Sequence, residues 1–407
     1  MRILIATTGS RGDVAPFTGL GRRLLDAGHR VAVLAHPTFA TLIEECGLEY
    51  RPLPGDPKEL IRARARATSP EETRALMTAF VDGLADGVAD AVAGGADLLL
   101  TAFAPAPLCR TAGEAFGVPV LGTYLTPAFA TTEFPLPGPA WNGDLGPQGN
   151  LAAGRERLRS ADRLFSGAVV RMRERLGLPG AAAPEPLGHT RPVVHGYSPL
   201  LLPRPADWPD PVEVAGFWWP ARPLGWRPPA DLVDFLQAGP APVFIGFGSM
   251  ALDEGERLGE LVTAAVRRAG VRAVVQAGWA EVAAAGDGIL AVGDLPHDWL
   301  FPRTAAVVHH AGAGTTGAAL RAGVPAVPVP VMVDQPFWAD RLHRLGVAPE
   351  PVPFAELTAE RLAAAITAAL ADPVRRRAAA VAGLLAAEDG AGAVLSHLTR
   401  HAGAASR

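Results

Sequence analysis

The sequence predicts an α/β protein made of two Rossmann-like domains that face each other across a cleft. Short apolar runs with little polar alternation, such as residues 2–8 and 243–246, are typical of strands buried on both faces of a parallel sheet. Segments with helical spacing of apolar residues follow these runs repeatedly, so the predicted wiring is βαβ with right-handed crossovers. A stretch rich in proline and tryptophan separates two such series.

The first half is predicted to begin with the strand at residues 2–8, a glycine-rich turn and a helix. That helix carries Phe17, Leu20 and Leu24 on one face and ends near Gly28. Alternating strands and helices then follow at residues 31–35, 37–46, 98–101, 106–116 and 118–123. Long helices are predicted at residues 71–92 and 151–176. The segment between them that is rich in Pro and Gly, residues 126–150, is predicted to be a mobile loop.

We interpret residues 203–229 as the region that links the domains. They contain eight prolines and four tryptophans, a composition that excludes regular secondary structure. A long surface loop within one large domain is the alternative, and it is disfavoured because a new βα series begins directly afterwards. We therefore predict an N-terminal domain at residues 1–205, a linker at 206–228 and a C-terminal domain at 229–407.

The second half repeats the strand–helix pattern. Strands are predicted at residues 243–246, 273–275, 289–292, 306–308 and 326–329. Helices are predicted from Glu254 and Thr315, and again at residues 358–370 and 374–384, before a weaker tail. The last helix is in a position to pack back on the N-terminal domain.

Composition excludes several classes of protein. The 407 residues are 49% hydrophobic and 19% charged, so the chain can bury a large core, and its net charge of −4 argues against a nucleic-acid binder. Cys46 and Cys109 are the only cysteines, too few for a disulfide framework or a four-cysteine zinc site. No apolar run reaches the roughly 18 residues of a membrane helix, and no signal sequence is evident. We therefore expect a cytoplasmic protein without a membrane span.

The first candidate turn is residues 9–17, GSRGDVAPF, directly after the first predicted strand. Ligands bind at the carboxyl ends of strands in open α/β sheets. The turn is glycine-rich like a phosphate loop but lacks the G-x-G-x-x-G spacing and the Walker lysine. From the residues alone, Asp13 is more readily a helix cap than a catalytic carboxylate, and both interpretations stay open.

Two further turns follow strands of the second half. In residues 246–250, GFGSM, backbone N–H groups and Ser249 can approach an anion, although an ordinary βα turn has the same pattern. Residues 309–316, HHAGAGTT, open a helix whose free N–H groups suit a diphosphate, with His310 and Thr315 as further donors. A buried histidine beside a glycine turn is the structural alternative. A metal site is disfavoured because adjacent histidine side chains diverge and no Asp-x-Asp occurs in the chain.

Asp334 and Gln335 follow another predicted strand and open another helix. Asp334 suits a helix N-cap. A carboxylate beside an amide also suits sugar hydroxyls, which both donate and accept hydrogen bonds.

Together these motifs resemble the family 1 glycosyltransferases, in the branch that contains bacterial antibiotic glycosyltransferases and sterol glucosyltransferases. The resemblance rests on GSRGDV near the N-terminus and on four segments of the second half: GDLPHDWLF at 293–301, HHAGAGTT at 309–316, RAGVP at 321–325 and DQPF at 334–337. It implies a GT-B fold, with an acceptor domain first and a nucleotide-sugar domain second. It also implies that the ligands are a nucleotide sugar and a small-molecule acceptor.

The resemblance assigns a role to each matching residue. Asp13 matches the catalytic base, and the neighbouring loop residues Ser10, Arg11 and Gly12 are candidates for contact with the donor phosphates. The other matches are all donor-binding positions: His310, Gly312, Gly314 and Thr315 at the diphosphate, Ser249 in the G-x-G-S turn, Asp334 and Gln335 at the sugar hydroxyls, and His297 with the backbone near Leu295 at the nucleobase.

Three departures from the family pattern concern plant relatives. Those proteins use a histidine base in the first loop, whereas no histidine precedes His29 here. They also have a base-stacking tryptophan where this chain has Asp294 and a ribose-binding glutamate where it has Ala318. Asp13 is therefore expected to act alone, and both UDP- and TDP-sugars stay open as donors.

The expected reaction is inverting, metal-independent transfer of a hexose to a hydroxyl of a hydrophobic small molecule, with no cofactor besides the nucleotide sugar. Aromatic residues in poorly patterned N-terminal segments favour a polyketide, aromatic or sterol-like acceptor, although most of them suit a plain core equally. These candidates for an acceptor pocket are Phe80, Phe103, Phe129, Phe134 and Trp141.

Two other classes of function are open to such a fold. One is a catalytically silent nucleotide-sugar-binding partner of another transferase, and the intact Asp13, His310 and Asp334 argue against it. The other is an NAD-dependent oxidoreductase, which is disfavoured because no G-x-G-x-x-G opens a helix. The sequence makes no prediction of oligomeric state.

Overall fold

Two parallel sheets, each covered by helices on both faces, organise the chain in the computed structural model. The structure describes residues 1–138, 141, 143–179, 192–248, 254–278, 282 and 284–405. The strands of the first sheet are β1 (Arg2–Ala6), β2 (Arg30–Ala35), β3 (Glu49–Pro52), β4 (Leu98–Thr101), β5 (Val120–Tyr124), β6 (Val193–His195) and β7 (Val212–Val214). Those of the second are β8 (Val243–Gly246), β9 (Ala273–Gln276), β10 (Ile289–Val292), β11 (Ala306–His309) and β12 (Ala326–Pro328).

The first half holds helices α1 (Arg11–Asp26), α2 (Ala40–Glu45), α3 (Pro57–Arg66), α4 (Pro70–Ala93), α5 (Ala106–Phe116) and α6 (Gly146–Arg175). The second half holds α7 (Ala230–Gln237), α8 (Gly255–Ala269), α9 (His297–Leu300), α10 (Ala313–Ala322), α11 (Gln335–Arg344), α12 (Ala359–Ala369), α13 (Asp372–Leu385) and α14 (Gly390–Ala405). This alternation confirms the α/β fold class.

The strand orders place one ligand-binding edge in each sheet. The order is β3-β2-β1-β4-β5-β6-β7 in the first sheet and β10-β9-β8-β11-β12 in the second, and all the pairs are parallel. The order reverses between β1 and β4 and again between β8 and β11. Crevices at such reversals, outside the carboxyl ends of the strands, are where ligands bind in open α/β sheets.

Both faces of the central strands are buried, which explains why their sequences lack alternation. Ile3 and Ile5 of β1 pack in a cluster with α1, whereas Leu4 packs in a second cluster with α4 and α5. In the second sheet Ile245 packs toward α8 and α12, and Phe244 packs toward α7 and α9. The apolar runs therefore report strands covered on two sides.

Two expectations about irregular segments are wrong in part. The segment 203–229 contains strand β7, which pairs with β6 at the edge of the first sheet. An edge strand bonds to a single neighbour, and the carbonyl oxygen of Pro211 accepts the N–H of Val193 at 3.0 Å, so the missing proline N–H is not needed.

The expectation of a mobile loop at residues 126–150 is also wrong in part. Helix α6 already begins at Gly146, since Pro147 is compatible with a first helical turn. Phe129 and Phe134 are only 5% and 3% exposed, so burial of their rings fixes the preceding part of the segment.

The C-terminal segment Asp372–Arg400 is, within the described part of the chain, long and apolar enough for a membrane helix by length and composition alone. It consists of two helices, α13 and α14, separated at residues 386–389. Val381 of α13 belongs to one core cluster, and Val394 and Leu398 of α14 belong to the cluster that covers β1. The buried apolar residues of this segment therefore serve the core of the protein itself.

The segment after β7 runs across helix α1 in close contact with its backbone. The hydroxyl of Thr18 accepts the N–H of Ala221 at 2.9 Å, and a Cβ at Gly19 would lie 1.6 Å from the carbonyl oxygen of Trp219. The ring of Trp219 in turn lies under the guanidinium of Arg321 of α10, 4.6 Å from the ring centroid. Position 19 must therefore lack a side chain for this segment to bridge the two halves.

The Gly19→Ala variant is expected to lower the free energy of unfolding by about 1–3 kcal/mol, because the added methyl group displaces the Trp219 carbonyl. The matched control is Gly383→Ala in α13, where a Cβ meets nothing within 4 Å. Alanine there should raise stability by up to about 1 kcal/mol through helix propensity. Thermal and urea unfolding followed by circular dichroism measure the stability of both variants. Equal stabilisation by the two substitutions would contradict the close contact between Gly19 and the Trp219 carbonyl.

Candidate active site between the two sheets

Asp13 is the third residue of α1, at the carboxyl end of β1. Ser10 donates hydrogen bonds to Asp13 Oδ2 from its backbone N–H at 2.7 Å and from its hydroxyl at 3.0 Å. Gly9, with φ of 125°, permits this approach, since a Cβ there would lie 2.4 Å from the same oxygen. One carboxylate oxygen thus caps the helix, and Oδ1 makes no protein hydrogen bond within the described residues. The two sequence interpretations, cap and reactive carboxylate, are therefore compatible.

The environment of Asp13 favours a proton acceptor. Burial raises the pKa of the Asp13 carboxyl, and the two hydrogen bonds from Ser10 partly offset that effect. A carboxylate with a raised pKa holds a proton more strongly than one in water. Asp13 is therefore a better general base than an exposed aspartate.

His310 follows β11 and lies in a cradle of glycines. A Cβ at Gly248 would lie 2.6 Å from Cε1 of the His310 ring, and one at Gly312 would lie 2.5 Å from Nε2. Burial lowers the pKa of His310 to about 4, so the imidazole is neutral near pH 7 and carries one N–H. Its Nδ1 is buried and has no hydrogen-bond partner among the described residues. The ring is held in place by shape rather than by polar contacts.

Helix α10 begins beside His310 and points its N-terminus into the cleft. Gly312 is its N-cap, so the N–H groups of Ala313, Gly314 and Thr315 lack intrahelical acceptors. Ala311 has a φ of 62°, a strained conformation for alanine that turns the chain into the helix, and its N–H donates to His309 Nδ1 at 3.1 Å. This end of α10 is suited to an anion.

The starts of α1 and α10 lie next to each other. A Cβ built on Gly314 would be 3.9 Å from the carbonyl oxygen of Gly12. The structure therefore brings the GSRGD turn of the first sheet and the HHAGAGTT turn of the second to the same place, although they are about 300 residues apart in the chain.

Asp334 and Gln335 stand at the start of α11, each with one polar group engaged by protein. Gln335 Oε1 accepts the N–H of Val331 at 2.8 Å and of Met332 at 3.1 Å, and Trp338 Nε1 donates to Asp334 Oδ2 at 2.9 Å. Within the described residues, Asp334 Oδ1 and Gln335 Nε2 make no protein hydrogen bond. One acceptor and one donor are thus left side by side, as hydroxyl groups require.

Asp334 and Asp13 come from opposite sheets and lie near enough for their charges to interact. The pKa of Asp334 is raised to about 6, first by burial and second by the charge of Asp13. A hydrogen bond from its own backbone N–H, the hydrogen bond from Trp338 and the charge of Arg157 act in the opposite direction. Val333, directly before Asp334, has a φ of 61°, which is strained for a β-branched residue and marks this loop as a functional segment.

A polar network crosses the cleft beside these groups. Arg11 forms a salt bridge with Asp294 at 3.2 Å, and Gln276 Nε2 donates to Asp294 Oδ1 at 3.0 Å. His297 stacks on Phe301 with 4.2 Å between ring centroids. Its pKa is lowered to about 3, by burial first and then by the nearby charges of Arg11 and His310, so His297 is neutral.

Leu295, where the family contact is made by backbone, is 7% exposed. Ser249 lies outside the described residues. In the part of the chain that the structure describes, no three His, Cys, Asp or Glu side chains form a group able to hold a metal ion.

The aromatic candidates for an acceptor pocket divide into two groups. Phe80 packs on His36 at the end of β2, with 5.5 Å between ring centroids. Phe103, Phe129, Phe134 and Trp141 instead belong to one aromatic cluster that continues into α11. Two contacts join this cluster to the start of α11: Phe134 and Trp141 lie 5.5 and 6.0 Å from Phe337, measured between ring centroids.

Sequence reasoning missed the partners that complete this site. Trp338 could have been found, because a residue four positions after Asp334 lies on the same helix face. Gln276, the Arg11 contact with Asp294 and the proximity of Arg157 depend on how the two sheets pack, and no local pattern indicates them.

Family models and related proteins agree with this architecture. Residues 3–135 match the model of the glycosyltransferase family 28 N-terminal domain, and residues 265–395 match the model of the erythromycin biosynthesis protein CIII-like C-terminal domain. O-mycaminosyltylonolide 6-deoxyallosyltransferase of Streptomyces fradiae is 39% identical over 96% of this chain and 95% of its own length. Vancomycin aglycone glucosyltransferase of Amycolatopsis orientalis is 33% identical over 95% of this chain and 94% of its own length. A sterol 3-beta-glucosyltransferase of Arabidopsis thaliana is 34% identical over 98% of this chain and 66% of its own length.

Solved structures share the fold at low sequence identity. The glycosyltransferase of kitacinnamycin superposes with a TM-score of 0.71 and 21% identity, and each chain is covered to 98%. The SsfS6 glycosyltransferase of Streptomyces sp. SF2575, complexed with thymidine diphosphate, superposes with a TM-score of 0.65 and 22% identity, over 98% of this chain and 99% of its own. These likenesses confirm the two-domain GT-B fold. The relatives at 39% and 33% identity over nearly their full lengths confirm the family, and the chain belongs to the GT-B glycosyltransferases that include bacterial antibiotic glycosyltransferases and sterol glucosyltransferases.

Proposed function

We propose that this glycosyltransferase moves a hexose from a UDP- or TDP-sugar to a hydroxyl of a hydrophobic small molecule, with inversion and without a metal. One observation carries the proposal. Within the described residues the Asp13 carboxylate keeps Oδ1 free of protein hydrogen bonds, and it lies near Asp334 and beside the N-terminus of α10. A base, an anion site and a pair of hydroxyl ligands thus converge from opposite sheets.

Asp13 is the general base of the proposed reaction. It removes the proton of the acceptor hydroxyl as that oxygen attacks the anomeric carbon of the sugar. A new C–O bond forms on one face of the sugar while the bond to the diphosphate breaks on the other, which inverts the anomeric centre. The proton remains on the Asp13 carboxyl until it passes to solvent.

The departing diphosphate is stabilised at the start of α10. His310 is neutral and donates its N–H, and the free backbone N–H groups from Gly312 to Thr315 add to the positive end of the helix dipole. Donors fixed in advance stabilise charge as it develops on a leaving group. Ser249, with Ser10, Arg11 and Gly12 on the facing turn, completes the proposed phosphate site.

The remaining contacts with the nucleotide sugar also lie at the carboxyl ends of the strands of the second sheet. Asp334 Oδ1 and Gln335 Nε2 bind sugar hydroxyls, and His297 with the backbone at Leu295 binds the nucleobase. In this arrangement residues 1–205 form the acceptor domain, residues 206–228 the linker and residues 229–407 the donor domain. Closure of the cleft would bring the base to the donor and exclude water.

A hydrophobic acceptor is favoured by the aromatic cluster beside Asp334. Phe103, Phe129, Phe134 and Trp141 connect the first sheet with α11. The names of the relatives give O-mycaminosyltylonolide, vancomycin aglycone and sterols as their acceptors. We therefore propose a polyketide, aromatic or sterol-like alcohol as the acceptor class.

A turnover assay read by mass spectrometry tests the proposal. The purified protein is incubated with UDP-glucose or TDP-glucose, without divalent metal and with EDTA, and with a panel of macrolide, phenolic and sterol alcohols. The expected result is a product heavier by one hexose, and nuclear magnetic resonance of that product should show an inverted anomeric centre. Nucleotide-sugar binding without any transfer across the panel would favour the catalytically silent partner instead.

Donor affinity is expected to decrease as the pH is lowered from about 7 to about 5. The Asp334 carboxyl has a pKa of about 6, so it loses its charge in this interval and accepts sugar hydroxyls less well. The stability of the fold should change in the opposite direction. The pKa of Asp334 is higher in the folded protein than the ordinary 3.8 of an aspartate, so protonation of Asp334 stabilises the folded state. That contribution is lost as the pH rises from about 4 to about 6.

Titration calorimetry with the nucleotide sugar and with the nucleoside diphosphate alone measures the effect. The Asp334→Asn variant should remove most of the pH dependence for the sugar nucleotide. An unchanged pH dependence of sugar-nucleotide binding in the Asp334→Asn variant would contradict the assignment of Asp334 to the sugar.

A further inference from the structure

In the part of the chain that the structure describes, two N–H donors of the first half are buried without hydrogen-bond partners beside the start of α11. They are Arg157 Nε on α6 and Trp141 Nε1 in the preceding segment. Burying a polar group without a partner is unfavourable, so buried donors in a native protein are ordinarily satisfied. Both are donors, so the group that satisfies them must be an acceptor.

Arg157 and Trp141 are adjacent in space. The backbone N–H of Trp141 donates to the carbonyl oxygen of Gly138 at 3.0 Å, and a Cβ at Gly138 would lie 2.7 Å from Arg157 Nε. The Arg157 side chain therefore lies directly against Gly138. The ring of Trp141 meets that of Phe337 edge-on, at 6.0 Å between centroids. This row of contacts leads from α6 to the helix whose first turn follows Asp334.

Arg157 lies close enough to Asp334 for their charges to interact. Among the described residues Arg157 has no hydrogen bond or ion pair, and the one charged group that acts on it appreciably is the Asp334 carboxylate. Burial lowers the pKa of Arg157, and Asp334 partly opposes this change. Within the described residues, a guanidinium with its Nε buried thus lies near a carboxylate of the opposite half without making a salt bridge to it.

Oxygen atoms located between Arg157 and Asp334 would satisfy both groups. A guanidinium donates and a carboxylate accepts, and a sugar hydroxyl does both. Resting on the proposed function, we propose that Arg157 binds the transferred sugar from the acceptor side of the cleft, donating hydrogen bonds to the hydroxyl oxygens that Asp334 and Gln335 hold from the other side. Trp141 Nε1 supplies a second donor to the same sugar. The sugar then joins the two halves, and its hydroxyl pattern is read from both.

The test compares two ligands that differ only by the sugar. Affinities for TDP-glucose and for TDP, or for the uridine pair if the wild type prefers it, are measured by calorimetry in Arg157→Gln and Arg157→Lys. We expect Arg157→Gln to weaken binding of the sugar nucleotide about tenfold and to leave the nucleoside diphosphate within twofold, as for loss of one charged hydrogen bond. Lysine, which keeps the charge, should restore part of the loss.

Arg155→Gln is the matched control, since Arg155 is exposed on the same helix and should have no effect on either ligand. Retained nucleoside diphosphate binding shows that each variant is folded. Equal affinities of wild type and Arg157→Gln for the sugar nucleotide overturn the inference, as does a rise in the acceptor KM alone, which would assign Arg157 to the acceptor. A wild-type protein that binds neither nucleotide contradicts the proposed function itself, and the inference with it.

Discussion

Replacing Asp13 by asparagine should reduce kcat by about 10²- to 10⁴-fold while leaving affinity for the nucleotide sugar nearly unchanged. Asparagine has the same shape and keeps an oxygen that accepts the Ser10 hydrogen bonds, so the start of α1 should be preserved. What is lost is the ability to take the acceptor proton. Turnover by mass spectrometry and donor affinity by calorimetry separate these two effects.

Asp26→Asn is the control for this prediction. Asp26 lies at the other end of α1, is exposed and pairs with Arg22 at 3.1 Å, so its replacement should leave turnover unchanged. The acid limb of the pH–rate profile offers a second measurement, because burial raises the pKa of Asp13 and this limb should disappear in the Asp13→Asn variant. Wild-type turnover in Asp13→Asn would remove Asp13 from the role of base and leave the family unaffected.

Elements with two buried faces were the ones that sequence predicted best. Strands β1 and β8 consist of side chains that contact helices on both sides, so their apolar runs survive as a signal. Strand β3 gives no such signal, because its sequence, EYRP at Glu49–Pro52, is mostly polar and contains a proline. Strand β7 was hidden by the surrounding prolines. A strand at the edge of a sheet pairs with one neighbour only and therefore tolerates prolines. Whether a strand lies at the edge depends on the folded sheet and cannot be deduced from its own residues.

The candidate site divides in the same way. Turns such as the one around His310 were predictable because the residues that shape them are contiguous in the chain. Contacts across the cleft were not, since Arg11 meets Asp294 only when two sheets pack together. Arg157 is the extreme case: along α6 it alternates with other arginines, and nothing in the sequence distinguishes it from Arg155 or Arg159. Its burial and its proximity to Asp334 emerge only from the tertiary structure.

His310→Ala should lower kcat by about 10²- to 10³-fold, the usual loss when one fixed donor is removed from developing negative charge. Because the neutral imidazole is held by Gly248 and Gly312, its position can also be changed without altering the ring itself. In Gly312→Ala the backbone is undisturbed, since the φ of Gly312 is −64°, but the new Cβ would lie 2.5 Å from His310 Nε2. This variant should therefore reduce kcat in the same direction as loss of the histidine.

Combining the two substitutions tests whether they act through the same group. If Gly312→Ala acts by displacing the ring, adding it to His310→Ala should cause little further loss, so the two effects should be strongly non-additive. Single-turnover kinetics at saturating donor isolate the chemical step, and the Gly383→Ala variant serves as the glycine-to-alanine control. Fully additive losses would mean that the methyl group disturbs the N–H groups of α10 directly. A wild-type rate in His310→Ala would show that the helix N-terminus stabilises the departing diphosphate without the imidazole.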